Sequence, residues 1–124
     1  MSAGETILVI DDARLARQMV RSFVGQIRPD LAVFEAADAG AALQVLDGMT
    51  TVTYATIDYN MPGMNGIDLA AVIRERFPAA RIALLTANVQ TALRRRAADA
   101  RIDFIDKPIN QAKIAAFIGP AAKG

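Results

Sequence analysis

Ile7-Leu8-Val9-Ile10 runs without a polar residue and stops at Asp11-Asp12. A strand with one wet face alternates apolar and polar residues. A run that is apolar at every position belongs to a strand covered on both faces, as in a parallel sheet flanked by helices. Two further strand-like runs, each apolar but for one residue, also lead to charge: Tyr54-Ala55-Thr56-Ile57 ends at Asp58, and Ile102-Asp103-Phe104-Ile105 leads to Lys107-Pro108. In an open parallel sheet the ligand crevice lies at the carboxyl ends of the strands. The sequence therefore brings three carboxylates and one ammonium to one pocket, a combination suited to a divalent metal and a phosphoryl group.

Between these runs the chain alternates strand and helix. Strands are expected at Thr6–Ile10, Leu31–Ala36, Tyr54–Asp58, Arg81–Leu85 and Ile102–Asp106. Helices are expected at Ala13–Arg28, Ala39–Leu46, Ile67–Phe77, Val89–Ala98 and Asn110–Ile118. In the first helix Leu15, Met19, Phe23 and Ile27 form one stripe, with Ala16, Val20 and Val24 beside it and Arg14, Arg17, Gln18 and Arg21 opposite. Asn60–Gly66, rich in Pro, Gly and Asn, reads as a loop, as does Thr86–Asn88. Five βα units in strict alternation predict an α/β fold with a parallel sheet and right-handed crossovers. Periodicity leaves the strand order open.

With 124 residues the chain has the length of one domain, expected over 1–124 with its core at about 6–118. Net charge is +1, from 14 basic and 13 acidic residues, which supplies no electrostatic reason for nucleic acid or an anionic membrane as partner. Arg94-Arg95-Arg96 reads in this balance as a solvated helix face. No apolar run reaches membrane-spanning length, and the N-terminus lacks the regions of a signal peptide, so a cytosolic protein is expected. Cysteine and histidine are both absent, which removes disulfides, thiolate nucleophiles and the usual general base. Chemistry falls to Asp, Lys, Thr, Asn and backbone.

Each site residue also has an ordinary reading. Asp11 suits the cap of the following helix; Asp58 suits an Asx turn; Thr86 suits a strand end. None of these accounts for the acids and Lys107 together. Close carboxylates need a cation or raised pKa values to persist, and their oxygens suit Mg²⁺. Asp58 then reads as a carboxylate nucleophile toward phosphorus.

Acid pair, Asp58, Thr86-Ala87 and Lys107-Pro108, in this order after strands one, three, four and five, resemble the receiver domain of two-component response regulators. The stretch Asp58-Tyr59-Asn60-Met61-Pro62-Gly63-Met64-Asn65-Gly66 is similar to the family's signature loop. The resemblance implies a flavodoxin-like (βα)5 fold, with a sheet of order 2-1-3-4-5 and helices on both faces. It implies that Asp58 is the phosphoacceptor, Asp12 a direct Mg²⁺ ligand, Asp11 a ligand mainly through water, and Asn60 a ligand through its backbone carbonyl. Mn²⁺ is the alternative ion. It further implies that Lys107 and Thr86 bind the phosphoryl group, that Thr86 and Phe104 form the switch, and that Asn60 and Asn88 tune dephosphorylation. The implied partners are a histidine kinase or histidine phosphotransfer protein and a protein target at the helix-four, strand-five, helix-five surface, with a monomer or weak dimer and no direct nucleic-acid contact.

Ala100-Arg101-Ile102, where the family often has small and polar residues, and the short alanine-rich last helix depart from that pattern. The stretch Ala100–Ile102 raises the alternative of an interaction module that works without phosphorylation. A phosphohydrolase of the haloacid-dehalogenase type is disfavoured because Asp11 and Asp12 are adjacent rather than two apart. A dinucleotide enzyme is disfavoured because no G-x-G-x-x-G follows the first strand.

Overall fold

The computed structural model describes residues 4–88 and 90–119. Its elements are β1 (Thr6–Ile10), α1 (Arg14–Ile27), β2 (Ala32–Ala36), α2 (Ala39–Asp47), β3 (Tyr54–Asp58), α3 (Gly66–Arg76), β4 (Arg81–Thr86), α4 (Thr91–Asp99), β5 (Asp103–Asp106) and α5 (Gln111–Ile118). The strands lie in the order β2-β1-β3-β4-β5, all parallel. This is the flavodoxin-like order, in which the chain reverses direction across the sheet at β1 and β3 and opens a crevice there. Val89, expected to open the fourth helix, lies outside the described residues.

Alternating side chains divide the interior into two layers. Ile7, Val9, Tyr54, Ala83, Leu85 and Ile105 face α1 and α5. Leu8, Ile10, Ala55, Ile57, Ile82 and Leu84 face α2, α3 and α4. Ile7–Ile10 is apolar at every position because both layers are dry.

The stripe expected on α1 is rotated. Val20 and Val24 are buried, Phe23 and Ile27 pack at the margin, and Leu15 and Met19 stand 69% and 40% exposed. Two ion pairs help set the rotation. Arg17 and Arg21, expected on the outer side, lean toward β2 and grip the Glu35 carboxylate at 3.1 and 2.7 Å. Those arginines hold Glu35 below the usual carboxylate range, Arg21 most strongly.

Local chemistry sets the helix ends. Asp38, Asn65 and Asn110 cap α2, α3 and α5 by accepting from the Ala41, Ile67 and Lys113 N–H groups. With Asn65 as cap, α3 begins at Gly66, one residue earlier than expected. A Cβ on Gly66 would come within 2.9 Å of Leu84 Cδ1, so α3 reaches the sheet only through glycine.

At the end of α4 the unusual stretch finds its explanation. Arg101 N–H donates to the Ala98 carbonyl and Ile102 N–H to the Ala97 carbonyl, the paired bonds of a Schellman motif. Arg101 holds the left-handed position at φ 58°, and Ile102 is buried. Arg74 of α3 donates to the carbonyls of Ala100 and Arg101 at 2.7 and 2.8 Å, completing the cap. A side chain at positive φ costs energy that glycine does not incur. Arg101→Gly should therefore raise stability by about 0.5–1 kcal/mol in urea unfolding, although it removes a side chain from the surface.

Candidate functional site

Three backbone hydrogen bonds carry the sheet ladder one residue past its strands at the carboxyl edge. Asp11 N–H donates to the Ala36 carbonyl at 3.1 Å, Tyr59 N–H to Leu85 at 2.9 Å and Lys107 N–H to Thr86 at 2.9 Å. Asp11, Asp58 and Lys107 are thus mounted on, or next to, fixed backbone. Alternation aims all three toward the α1/α5 side, since Val9, Leu85 and Ile105 belong to that layer.

Asp11, Asp12 and Asp58 each bring a carboxylate oxygen within 4.8 Å of the other two. Asp11 and Asp58 are buried and Asp12 is exposed, so the cluster opens to water on one side. Lys107 Nζ donates to Asp58 Oδ1 at 3.0 Å and stands 3.9 Å from Asp11 Oδ2. Burial pushes the Asp11 carboxyl up. The Ala13 N–H, donating to it at 2.9 Å, opposes that rise; the Asp58 charge adds to it; Lys107 pulls back and Asp12 adds a little more. The ordinary reading of Asp11 as the side-chain cap of α1 does not hold, because the N-cap is Ala13 and no side chain caps it. Its carbonyl also takes a 2.7 Å bond from Arg17.

Three carboxylates face one ammonium, so the pocket carries uncompensated negative charge. Two like charges at 4 Å repel by about 4 kcal/mol at an effective dielectric of 20. An all-oxygen set with one open side fits a hard divalent cation that keeps part of its water shell.

Thr86 is fully buried at the end of β4. Neighbouring Leu85 faces the α1/α5 layer, so Thr86 turns to the layer of Leu84, away from the Asp58 side chain. Its hydroxyl accepts the Asn88 N–H at 2.9 Å. Phe104 pairs in register with Leu84 and packs half-buried in that same layer. Thr86 and Phe104 therefore share one face, and Asp58 and Lys107 the other. Asn60 is exposed in the loop after β3. Asn88 accepts the Gln90 N–H through its side chain at 3.0 Å.

Two features here escaped sequence reading. The exposed apolar pair Leu15 and Met19 follows the acids on α1, where periodicity had spent both residues on the core. The Arg94 guanidinium lies 4.5 Å from the centre of the Phe104 ring. A run of three arginines signals only charge, and no local pattern points to an aromatic ring ten residues on.

Residues 7–119 match the family described as response regulator receiver domain. The chain is 29% identical over 121 residues to the chemotaxis protein CheY of Thermotoga maritima, covering 97% of this chain and 99% of that protein. It is 35% identical over 117 residues to the cyclic di-GMP phosphodiesterase response regulator RpfG of Xanthomonas campestris. That match covers 91% of this chain but only 30% of RpfG. Among solved structures, a response regulator protein from Burkholderia pseudomallei, with a phosphorylated aspartic acid, calcium ion and citrate, superposes with a TM-score of 0.80 at 27% identity. The match covers 92% of this chain and 66% of that one. The family match spans nearly the whole chain and agrees with the strand order and the acidic crevice, so this chain belongs to the response regulator receiver domain family.

Proposed function

We propose that this receiver domain takes a phosphoryl group onto Asp58 in a Mg²⁺-dependent reaction and passes the event to a protein partner as a change of surface. The observation that carries the reading is the 3.0 Å bond from Lys107 to Asp58, at the rim of a pocket shared with two further carboxylates. An aspartate built only to pair with lysine needs no second and third acid beside it. Support comes also from the Burkholderia pseudomallei response regulator, whose structure holds a phosphorylated aspartic acid and a calcium ion.

Asp11, Asp12, Asp58 and the Asn60 carbonyl are the groups that would hold the ion, Mn²⁺ being the alternative. Bound there, the ion supplies the positive charge that Lys107 alone cannot. An Asp58 carboxylate oxygen attacks phosphorus and forms the new P–O bond. The bond from phosphorus to the donor's imidazole nitrogen, or to acetate in a small donor, breaks on the opposite side. Lys107 keeps its ammonium against the transferred oxygens. The Thr86 hydroxyl leaves the Asn88 N–H to reach them, and Phe104 repacks into the space behind. Asn60 and Asn88 flank the path of a hydrolysing water and set the lifetime.

Intact mass after incubation with acetyl phosphate tests this reading. One phosphoryl group should be added with Mg²⁺ present and none after chelation. An adduct that ignores chelation would overturn it. The phosphorylation-independent alternative drew its support from Ala100–Ile102, and the Schellman cap gives that stretch a structural role instead.

The donor is proposed to be a histidine kinase or phosphotransfer protein, since the chain has no histidine of its own. Leu15 and Met19 give it an apolar landing beside the acids. Burying part of both is worth about 1.4 kcal/mol, or tenfold in affinity. Leu15→Ala with Met19→Ala should slow transfer from a phosphohistidine protein about tenfold, while the acetyl phosphate rate stays within twofold.

A further inference from the structure

Phe104 lies on β5, an edge strand with β4 as its single neighbour. One side of its ring packs on the layer that contains Leu84, Leu93 and Ala97. Over the ring sits Arg94, its guanidinium carbon 4.5 Å from the centroid. Among the described residues no carboxylate pairs with Arg94, whereas Arg81, at the start of β4, is paired with Asp103. The side chain is exposed, on the turn of α4 bounded by buried Leu93 and Ala97. An arginine with water on its other sides, laid on an aromatic face, gains from the ring's negative quadrupole and covers apolar surface with its stem.

We infer that Arg94 is the positioning residue that sets the resting place of Phe104, so that the α4 guanidinium and the β5 ring form a latch between the two elements. The inference rests on the reading of Asp58 as phosphoacceptor and of Thr86 and Phe104 as the pair that moves. In the resting chain two restraints act on the same segment. The Asn88 N–H holds the Thr86 hydroxyl at 2.9 Å, and the Arg94 guanidinium holds the ring. When Thr86 moves toward a phosphoryl oxygen, the ring follows into the vacated space and leaves the guanidinium. The latch therefore opposes activation, and its release uncovers a cation on α4 next to exposed Arg95 and Arg96. A signal written at Asp58 is thereby read out as charge on the helix.

Beryllofluoride with Mg²⁺, a mimic of the phosphoryl group, provides the test on the intact chain. Arg94→Met keeps the stem and the helix but loses the cation; Arg94→Lys keeps a charge without the planar face. Arg94→Met should bind beryllofluoride about threefold more tightly than the parent, with Arg94→Lys between them. With 4-fluorophenylalanine in place of phenylalanine, and Phe104→Leu to assign its signal, the Phe104 resonance of Arg94→Met should shift toward its ligand-bound position before any ligand is added. A resonance that stays at the parental position, or an affinity equal to or weaker than the parent's, overturns the latch. A parent chain that fails to bind beryllofluoride overturns the phosphoacceptor reading, and the latch with it. A parent that binds normally while Arg94→Met does not differ overturns the latch alone.

Discussion

Asp58→Asn should take up no phosphoryl group from acetyl phosphate at any Mg²⁺ concentration, a complete loss read by intact mass. The substitution keeps the volume and most of the polar contact. It removes the nucleophilic charge, because an amide oxygen does not form an acyl phosphate. It also takes one negative charge from a cluster that holds three against a single ammonium. The variant should therefore fold at least as stably as the parent, and its Mg²⁺ affinity should fall. This pairing of results separates loss of the acceptor from loss of the fold. An Asp58→Asn protein that gains mass under the same conditions would place the chemistry on another residue.

Arg28→Met should lower stability by about 2 kcal/mol, or roughly 6–10 °C in melting temperature. Arg28 follows α1 and is 2% exposed. Its guanidinium grips Asp30 through two bonds of 3.0 and 2.8 Å, takes the Glu5 carboxylate and donates to the Ile118 carbonyl at 3.3 Å. Tyr54 Oη donates to that same carbonyl at 2.9 Å. One side chain therefore ties the end of α1, the entry to β1 and the end of α5. Methionine fills much of the volume but leaves the Ile118 carbonyl with fewer donors. Glu5 and Asp30 remain about half exposed and return to water, which keeps the loss below that of a fully buried pair.

The pair carries a pH signature. Arg28 holds the Asp30 carboxyl below its ordinary value of 3.8. A carboxyl depressed in the folded state stabilises fully above its unfolded pKa and loses that contribution as pH falls through the folded one. The difference between parent and Arg28→Met should thus be flat near neutrality and shrink below about pH 4.

How much of this was legible in the chain depends on how local the cause is. Ile7–Ile10 and Tyr54–Ile57 declare themselves as buried strands because the dry layers on both sides forbid alternation. The acids at their ends needed no more than the rule that parallel strands end at the crevice, and Lys107 joined them by the same rule. Strand order came from resemblance, since no periodicity encodes which strands are neighbours. The rotation of α1 was illegible because it depends on Glu35, a residue of another strand that draws Arg17 and Arg21 toward it. Arg28 marks no more than the end of a helix in the sequence, because its partners Glu5, Asp30 and Ile118 converge on it from three parts of the chain. Arg101 appeared as a departure from a family pattern. Its backbone shows it filling a position that any residue can hold at some cost. Arg94 was read as part of a solvated face; two of the three arginines fit that reading, and the third lies on Phe104.

Borohydride trapping tests the central claim most directly. The chain is phosphorylated with acetyl phosphate and Mg²⁺, reduced, digested and sequenced by mass spectrometry. Borohydride converts an acyl phosphate of aspartate to homoserine, marking the acceptor itself. The account predicts homoserine at position 58 alone. Homoserine at position 11 or 12, or a phosphorylated chain with aspartate intact at 58, would contradict it.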